Sequence, residues 1–438
     1  MVSYRKPLDE DSTRLLVNGT VIAVIFHRIG PYHYVRLSAL KTTQFTVLEL
    51  CANDRAYPWD SVDSIGLFNR ITILKTGEVS DYSSSVVTKL LWKALDAVNP
   101  KVVAVPGWSG VAARAALYWC VKHHVPSIML SDSTRDDHPR SGWKEEIKHR
   151  LVRIASAGFV SGSLAAGYLK DLGMARDRIF EGYDVVDNAH FLSGSKIAQH
   201  KRLDLQRHYN LPARYFLVCA RFIWEKNLIL LLQAYASYVS SVNSLLEQNS
   251  QSHGEPWSLV LVGDGPLKAE IVSLIAELRL SQHIVLPGFK QYPELPAFYG
   301  LAQALILPSV SETWGLVVNE AMAAGLPVLV SNRCGCVPDL VREGINGFTF
   351  NPFDRDQLTN LMLRLSSHRT ASNEPNVCLG SMGSASISII SNWSPKRFAD
   401  ALAAAAEIAL TFPLPRVCIA DRLLLRLLLL RPREVTAK

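Results

Sequence analysis

Short apolar runs alternate with longer amphipathic stretches along most of the chain. Val/Ile-rich runs bounded by turn residues are the pattern of strands buried on both faces of a parallel sheet. In the first half these runs are Val21 to Phe26, Phe45 to Leu50, Ile71 to Leu74, Val102 to Val105, Ser127 to Leu130 and Gly158 to Val160. Helical stretches separate several of them, notably Val111 to His123 and Leu164 to Leu172. From Gly182 to Lys201 polar and small residues break the rhythm, which predicts an interdomain linker there. The alternation restarts with Tyr215 to Ala220, Leu259 to Val262, Ile284 to Leu286, Ala304 to Leu307 and Pro327 to Val330. The predicted class is α/β, with doubly wound domains over 1–190 and 191–392 and C-terminal helices over 393–438. The first of those helices is Trp393 to Leu410. Open parallel sheets bind ligands at the carboxyl ends of their strands, so two such domains are expected to face each other across a ligand-binding cleft. Ser240 to Glu255 and Ser366 to Gly380 lack periodicity and are predicted as surface loops.

Composition narrows the class. The 438 residues exceed what one ordinary core needs, and 48% hydrophobic against 19% charged residues is the balance of a folded protein. The net charge of +7 is modest for the length, and no Lys/Arg stripe interleaved with aromatics appears, so nucleic acid is not an expected partner. A local cluster of cations for an anionic ligand, or for an anionic membrane surface, fits that charge. The seven cysteines are scattered, and Cys334-Gly-Cys336 has neither zinc-knuckle nor thioredoxin spacing. They read as reduced thiols of a cytoplasmic protein. The polar start MVSYRKPLDEDSTRLL does not read as a signal peptide, and no uninterrupted apolar stretch reaches the roughly 18 residues of a membrane span. Asn18 and Asn392, each in an Asn-x-Ser/Thr context, are therefore not expected to carry glycans.

The chemistry concentrates in Leu305 to Ser331, which reads strand, loop, helix, strand. Glu312 lies in the loop, the helix begins near Gly315, and Glu320 falls within its second turn, so both carboxylates can face one ligand. Amides from Trp314 through Val317, including Leu316, would offer free donors and a positive dipole end to a phosphate or sugar hydroxyl. Upstream, Arg221 closes a strand and Lys226 follows at the turn into the next helix. Two cations so placed suit a departing diphosphate, since fixed positive charge must otherwise come from a metal. No Asp-x-Asp stands near the end of any strand predicted above, and no metal is expected.

These residues resemble the group 1, or family-4, retaining glycosyltransferases of the GT-B type. The resemblance lies in the E-x7-E spacing of Glu312 and Glu320, the flanking Ser311, Gly315-Leu316, AAGLPV at Ala323 to Val328, and Arg221 with Lys226 after Glu225. It implies two Rossmann-like domains, with the helix Trp393 to Leu410 returning to the N-terminal one, a nucleotide diphosphate sugar as co-substrate, no cofactor and metal-independent transfer. It implies further that Glu320 holds the ribose hydroxyls, that Glu312 holds donor-sugar hydroxyls, and that Arg221 and Lys226 neutralise the diphosphate. LVLVGDGPLKAEI, with its turn at Gly263 and Asp264, is another family hallmark, and LPGFKQYPEL places Phe289 and Lys290 where the family lays the nucleobase. Pro338-Asp339 and the Gly344 to Gly347 turn complete a resemblance that covers most of residues 215–355.

The first half departs from the pattern. Where the family has a Gly-Gly pair, this chain has Ile29-Gly30, with His27, Arg28, Tyr32 and His33 beside it, either reading an acceptor or capping the sheet. Trp108, beside Gly107 and Ser109, would line the acceptor side or pack in the core. Many family members carry a catalytic His beyond the next strand; here Ser131, Asp132 and Ser133 stand there and His138 comes later. Asp132 is the candidate sugar or acceptor contact, and Lys144 or Lys148 a further anion contact. The acceptor implied is a glycan or a lipid-linked saccharide. A catalytically idle relative that only holds a glycan or nucleotide is the alternative. Finally, VCIADRLLLRLLLLRPR, with Arg422, Arg426, Arg431 and Arg433 between Leu runs, suits a helix lying in an anionic membrane interface or an added helix packed on the protein. The first option would put the protein at the inner face of the cell membrane.

Overall fold

The computed structural model describes residues 22–40, 44–52, 59–60, 62, 68–137, 140–247, 254–367 and 378–430. The N-terminal segment with Asn18, His138, parts of both predicted surface loops, Arg431 and Arg433 lie outside the described residues. The chain divides into two compact units. One comprises Met1–Ser133, Pro139–Asp184 and Pro395–Lys438; the other comprises Thr134–His138 and Val185–Ser394.

The first unit is built on a seven-stranded sheet of order β3-β2-β1-β4-β5-β6-β7, every described pairing parallel. Its central strands, β1 (Ile22–Phe26) and β4 (Val102–Pro106), are almost wholly buried, the reason both read as unbroken apolar runs. β2 (Phe45–Cys51) and β3 (Asn69–Leu74) extend the sheet on one side. On the other side come β5 (Ser127–Ser131), β6 (Ala157–Val160) and β7 (Ile179–Glu181). The helices Ser84–Val98 and Val111–His123 end on Asn99 and His124, both left-handed, whose turns release the chain into β4 and β5. Helix Pro395–Thr411 packs on β6, β7 and helix Pro31–Ser38 of this unit. Helix Ile419–Leu430 packs on Val111–His123 through Leu425 and Leu428.

The second unit has a six-stranded parallel sheet of order β10-β9-β8-β11-β12-β13. Its strands are β8 (Tyr215–Cys219), β9 (Ser258–Val262), β10 (Ile284–Gly288), β11 (Ala304–Leu307), β12 (Val328–Ser331) and β13 (Gly347–Phe350). Trp224–Glu247, which contains helix Leu228–Glu247, is the one helical stretch among the described residues long and apolar enough to cross a membrane. Leu228, Leu231, Leu232, Tyr235, Tyr238 and Val242 spend that apolar character on the core. Each such side chain contributes about 1.5 to 3 kcal/mol on burial.

Three expectations need correction. Gly182 to Lys201 is not a linker throughout: the units part between Asp184 and Val185, and Asn188–His200 is a helix with Asp187 capping the His190 amide. Its small residues serve packing. A Cβ on Gly194 would stand 2.6 Å from Pro296, and one on Gly300 2.6 Å from Ser195 Cα, so this helix and Leu295–Leu301 approach to backbone contact. The predicted loop from Ser240 is helical through Glu247. β7 and β13 were not foreseen, one being only three residues long and the other opening on a glycine.

Candidate active site

In the second unit the strand order reverses between β8 and β11. Loops leaving two such strands turn to opposite faces of the sheet and open a crevice at its carboxyl edge. The β8 loop holds Arg221 and ends in a tight turn at Trp224–Lys226. Asn227, left-handed at φ 53°, then donates from its amide to the carbonyls of Pro308 at 3.2 Å and Pro352 at 2.7 Å. The Val310 amide donates to the Glu225 carbonyl at 2.9 Å. These bonds lock the β8 loop to the β11 loop and bring Lys226 onto Glu312.

The Lys226 ammonium donates to Glu312 Oε2, and the Ser309 hydroxyl donates to the same oxygen at 3.3 Å. The two charged side chains are 18% and 17% exposed, enough for a ligand to reach and too little for water to screen them fully. Gly315 holds φ +104° at the start of helix Leu316–Ala323, and a Cβ there would stand 2.9 Å from Leu307 and 3.5 Å from the Glu312 side chain. Glycine therefore lets the helix begin beside the acid, with the first-turn amides of Leu316 and Val317 directed back along the helix axis. Trp314 is buried; its indole donates to Asn319 Oδ1 at 2.9 Å and its ring lies 4.9 Å from Trp393. Only its backbone remains to serve a ligand.

Glu320 sits deeper, 2% exposed, and accepts a 2.5 Å hydrogen bond from the Tyr299 hydroxyl. The Cys219 thiol, at the end of β8, lies against the same hydroxyl. Burial pushes both Tyr299 and Cys219 well above their ordinary values, with the neighbouring Glu320 charge adding to the effect, so both stay protonated.

The loops after β9 and β10 border the crevice. Gly263 has φ +141° and its Cβ would stand 1.9 Å from the Ala220 carbonyl oxygen, so the turn at 263–265 lies directly on the Arg221 loop. Asp264 is exposed, and its carboxyl is held low by Lys268 and then by the Gly265 amide. Phe289 and Lys290 are half-buried, with the Lys290 ammonium 3.8 Å from Glu294 and 5.3 Å from the Tyr209 ring centre. In the same unit the Ser311 hydroxyl donates to the Asp137 carbonyl at 2.9 Å.

The first unit has its own reversal between β1 and β4, and the remaining sequence candidates gather on its loops. His27 is exposed, with Nε2 3.5 Å from Cys51 Sγ, and Gly30 caps helix Pro31–Ser38. His33 packs 4.6 Å from the Phe26 ring, and burial, then Arg36 and His27, push its imidazole down to about 3. It is neutral at ordinary pH. Asp132 is half-buried, close enough to Tyr183 to raise that phenol together with burial and Asp184. Trp108 is 8% exposed and belongs to the core, its ring 6.1 Å from Tyr168 and 5.9 Å from the Lys148 ammonium. Lys148 donates to Glu145 at 2.8 Å, whereas Lys144 is exposed over Trp143.

Several supporting residues carried no sequence signal. Glu49, wholly buried, accepts from the Ile29 amide, from Arg70 and from the Thr72 hydroxyl, fixing the His27–Gly30 loop from beneath. Tyr299, Cys219 and Ser309 do the same for the two acids of the second unit. A Tyr in LPAFYGL or a Cys at the end of an apolar run reads only as core. Among the described residues no group of three His, Cys, Asp or Glu side chains is arranged to hold a metal ion.

Two doubly wound parallel sheets, each with its own switch point, make this the two-domain α/β fold called GT-B. Residues 205–376 match the model of the family described as "Glycosyl transferases group 1". The chain is similar to the sulfoquinovosyl transferase of Arabidopsis thaliana, 40% identical over 116 residues, 26% of this chain and 22% of that one. It is similar also to the alpha-D-kanosaminyltransferase of Streptomyces kanamyceticus, 24% identical over 253 residues, 56% of this chain and 53% of that one. The chain thus spans about a fifth and about half of the lengths of these two relatives. A glycosyltransferase from Rickettsia africae shares the fold, with a TM-score of 0.64 at 13% identity, over 90% of this chain and all of that one.

Proposed function

We propose that this chain transfers a sugar, with retention at the anomeric carbon, from a UDP- or GDP-type nucleotide sugar to a hydroxyl of a glycan or lipid-linked saccharide. The observation that supports the reading most is the junction of the β8 and β11 loops. There Lys226 and Glu312 share one partly desolvated crevice with the Gly315 helix start, and Glu320 lies one helical turn deeper. In the transfer the bond from the anomeric carbon to the β-phosphate oxygen breaks, a bond to the acceptor oxygen forms, and the acceptor's proton passes to the departing diphosphate. The departing diphosphate keeps the electron pair, and Lys226 and Arg221 meet that charge, a stabilisation whose loss costs on the order of 10² to 10³ in rate. Glu312 accepts from donor-sugar hydroxyls once Lys226 turns to phosphate, Glu320 accepts from the ribose, and the Leu316 and Val317 amides serve the diphosphate. Gly263, Asp264, Phe289 and Lys290 border the nucleotide. No metal takes part in this scheme. His27, Gly30 and Asp132 are the acceptor-side residues of the first unit.

We propose further that helix Ile419–Leu430 rests on an anionic bilayer at the cytoplasmic face. One face of it is buried through Leu425 and Leu428, while Ile419, Leu423, Leu427 and Leu430 form an exposed apolar stripe with Arg422 and Arg426 alongside. The helix's acid, Asp421, is paired with Arg150, which leaves the exposed face cationic.

A thermal-shift screen with UDP-, GDP- and ADP-sugars, followed by nucleotide release in the presence of glycan or lipid acceptors, tests the transfer. Stabilisation by at least one donor with acceptor-dependent release is expected. Stabilisation without any release would favour the catalytically idle alternative, and no stabilisation by any donor would overturn both readings.

A further inference from the structure

Glu320 is a carboxylate on a short helix, 2% exposed, and a buried carboxylate is useful to a ligand only if its oxygens are aimed. Its Oε2 accepts from the Tyr299 hydroxyl at 2.5 Å. That hydroxyl belongs to a side chain with no freedom of its own. Tyr299 is 0% exposed, its ring lies 5.7 Å from Phe191 edge to face, and its helix is pinned against Asn188–His200 by the glycine contacts at Gly194 and Gly300. Behind it the Cys219 thiol, held by the β8 backbone, lies against the same oxygen.

The result is a relay from the end of the sheet to the acid. Cys219 belongs to β8, Tyr299 to the helix before β11 and Glu320 to the helix after it, so three separate elements converge on one carboxylate. An ordinary core tyrosine can donate to any nearby carbonyl, as Tyr215 does to Phe298 at 2.7 Å in the same unit. Tyr299 instead spends its single proton on an ionisable side chain, a bond shorter and stronger than one between neutral groups.

Resting on the donor-site reading above, we infer that Tyr299 is a positioning residue. It fixes one oxygen of Glu320 so that the carboxylate meets the two vicinal hydroxyls of a ribonucleotide, and it thereby sets the preference for ribose over a sugar lacking them. Cys219 supports Tyr299 in turn.

The test is Tyr299→Phe, which keeps the ring and its packing and removes only the hydroxyl. Affinities of UDP and GDP, and of their 2′,3′-dideoxy counterparts, are measured by titration calorimetry on the wild-type chain and the variant. The wild type is expected to bind at least one ribonucleotide about tenfold or more tightly than its dideoxy counterpart, the range set by a hydrogen bond to a charged acceptor. Tyr299→Phe is expected to lose most of that ratio while binding the dideoxy nucleotide as the wild type does. A merely structural tyrosine would weaken both ligands in parallel and leave the ratio intact, which would overturn the positioning role alone. A wild-type chain that binds ribo- and dideoxynucleotide equally, or neither, would overturn the Glu320 assignment on which it rests. Should Tyr299→Phe fail to fold, Cys219→Ser offers the second arm, with a smaller reduction of the same ratio expected and an unchanged ratio counting against the relay.

Discussion

Replacing Lys226 by Ala separates a structural ion pair from a functional cation, because the two roles differ in size. Lys226 donates to Glu312, with side chains 18% and 17% exposed. A fully exposed pair is worth about 0.2 to 1 kcal/mol, and breaking a fully buried one costs about 3 to 5 kcal/mol. This pair lies between them, and Ser309 still donates to Glu312 after the change. A loss of about 1 to 2 kcal/mol follows, or a melting point lower by a few degrees for a unit of this size. A cation facing a departing diphosphate is worth far more in turnover, on the order of 10² to 10³, or about 2.7 to 4 kcal/mol. The assay is nucleotide release from the donor that the thermal-shift screen selects, run beside a melt of the same preparation. Lys226→Ala is expected to stay folded at 25 °C and to lose at least about a hundredfold in kcat/KM, and Lys226→Arg to recover part of it, since a guanidinium keeps the charge but not the point geometry. A Lys226→Ala chain within about fivefold of wild type would refute the assignment of Lys226 to the diphosphate.

Other outcomes follow from the same geometry. Glu312→Gln should reduce transfer on the order of a hundredfold while leaving UDP or GDP affinity within about twofold, because the proposed transfer pairs it with the sugar and not the nucleotide; parallel losses in calorimetry and turnover would contradict this. Gly263→Ala forces a Cβ to 1.9 Å from the Ala220 oxygen at φ +141°, and should cost about 2 to 4 kcal/mol in urea unfolding. His33 has a folded pKa of about 3, below its ordinary 6.5, so the unfolded chain binds the extra proton between those values. Stability should fall as pH drops through that window, and His33→Leu should flatten the melting-point profile there. Arg422→Glu with Arg426→Glu should abolish co-sedimentation with vesicles containing anionic lipid and leave neutral-vesicle binding and soluble-acceptor turnover unchanged; equal sedimentation by both chains would remove the bilayer as partner.

Much of the fold was legible because parallel strands buried on both faces have to be apolar throughout. Ten or more residues of mixed pattern between such runs read as helices and loops, so β1, β4, β8 and β11 emerged with small boundary shifts. β7 was invisible for the same reason turned round, since Ile179–Glu181 is too short to show any period. The Asn188–His200 helix was misread because Gly194 and Ser195 look like linker chemistry, whereas they are the small residues that let two helices touch. Composition cannot distinguish a residue that is small for flexibility from one that is small for proximity. The nearness of Glu312, Lys226 and Gly315 was legible because each stands on a loop after a strand of one parallel sheet, and such loops gather at its carboxyl edge. Tyr299, Cys219 and Glu49 were not, since a polar group that works by holding another buried group leaves no local trace and depends on contacts between distant segments.

The most direct test of a nucleotide-sugar site at the β8 and β11 loops is titration calorimetry of UDP and GDP into the wild-type chain and an Arg221→Ala, Lys226→Ala double variant. At least one nucleotide is expected to bind the wild type, and the double variant to bind it at least about a hundredfold more weakly, the loss expected when two cations leave a diphosphate. Equal affinity in the two chains, or no binding of either nucleotide to the wild type, would contradict it.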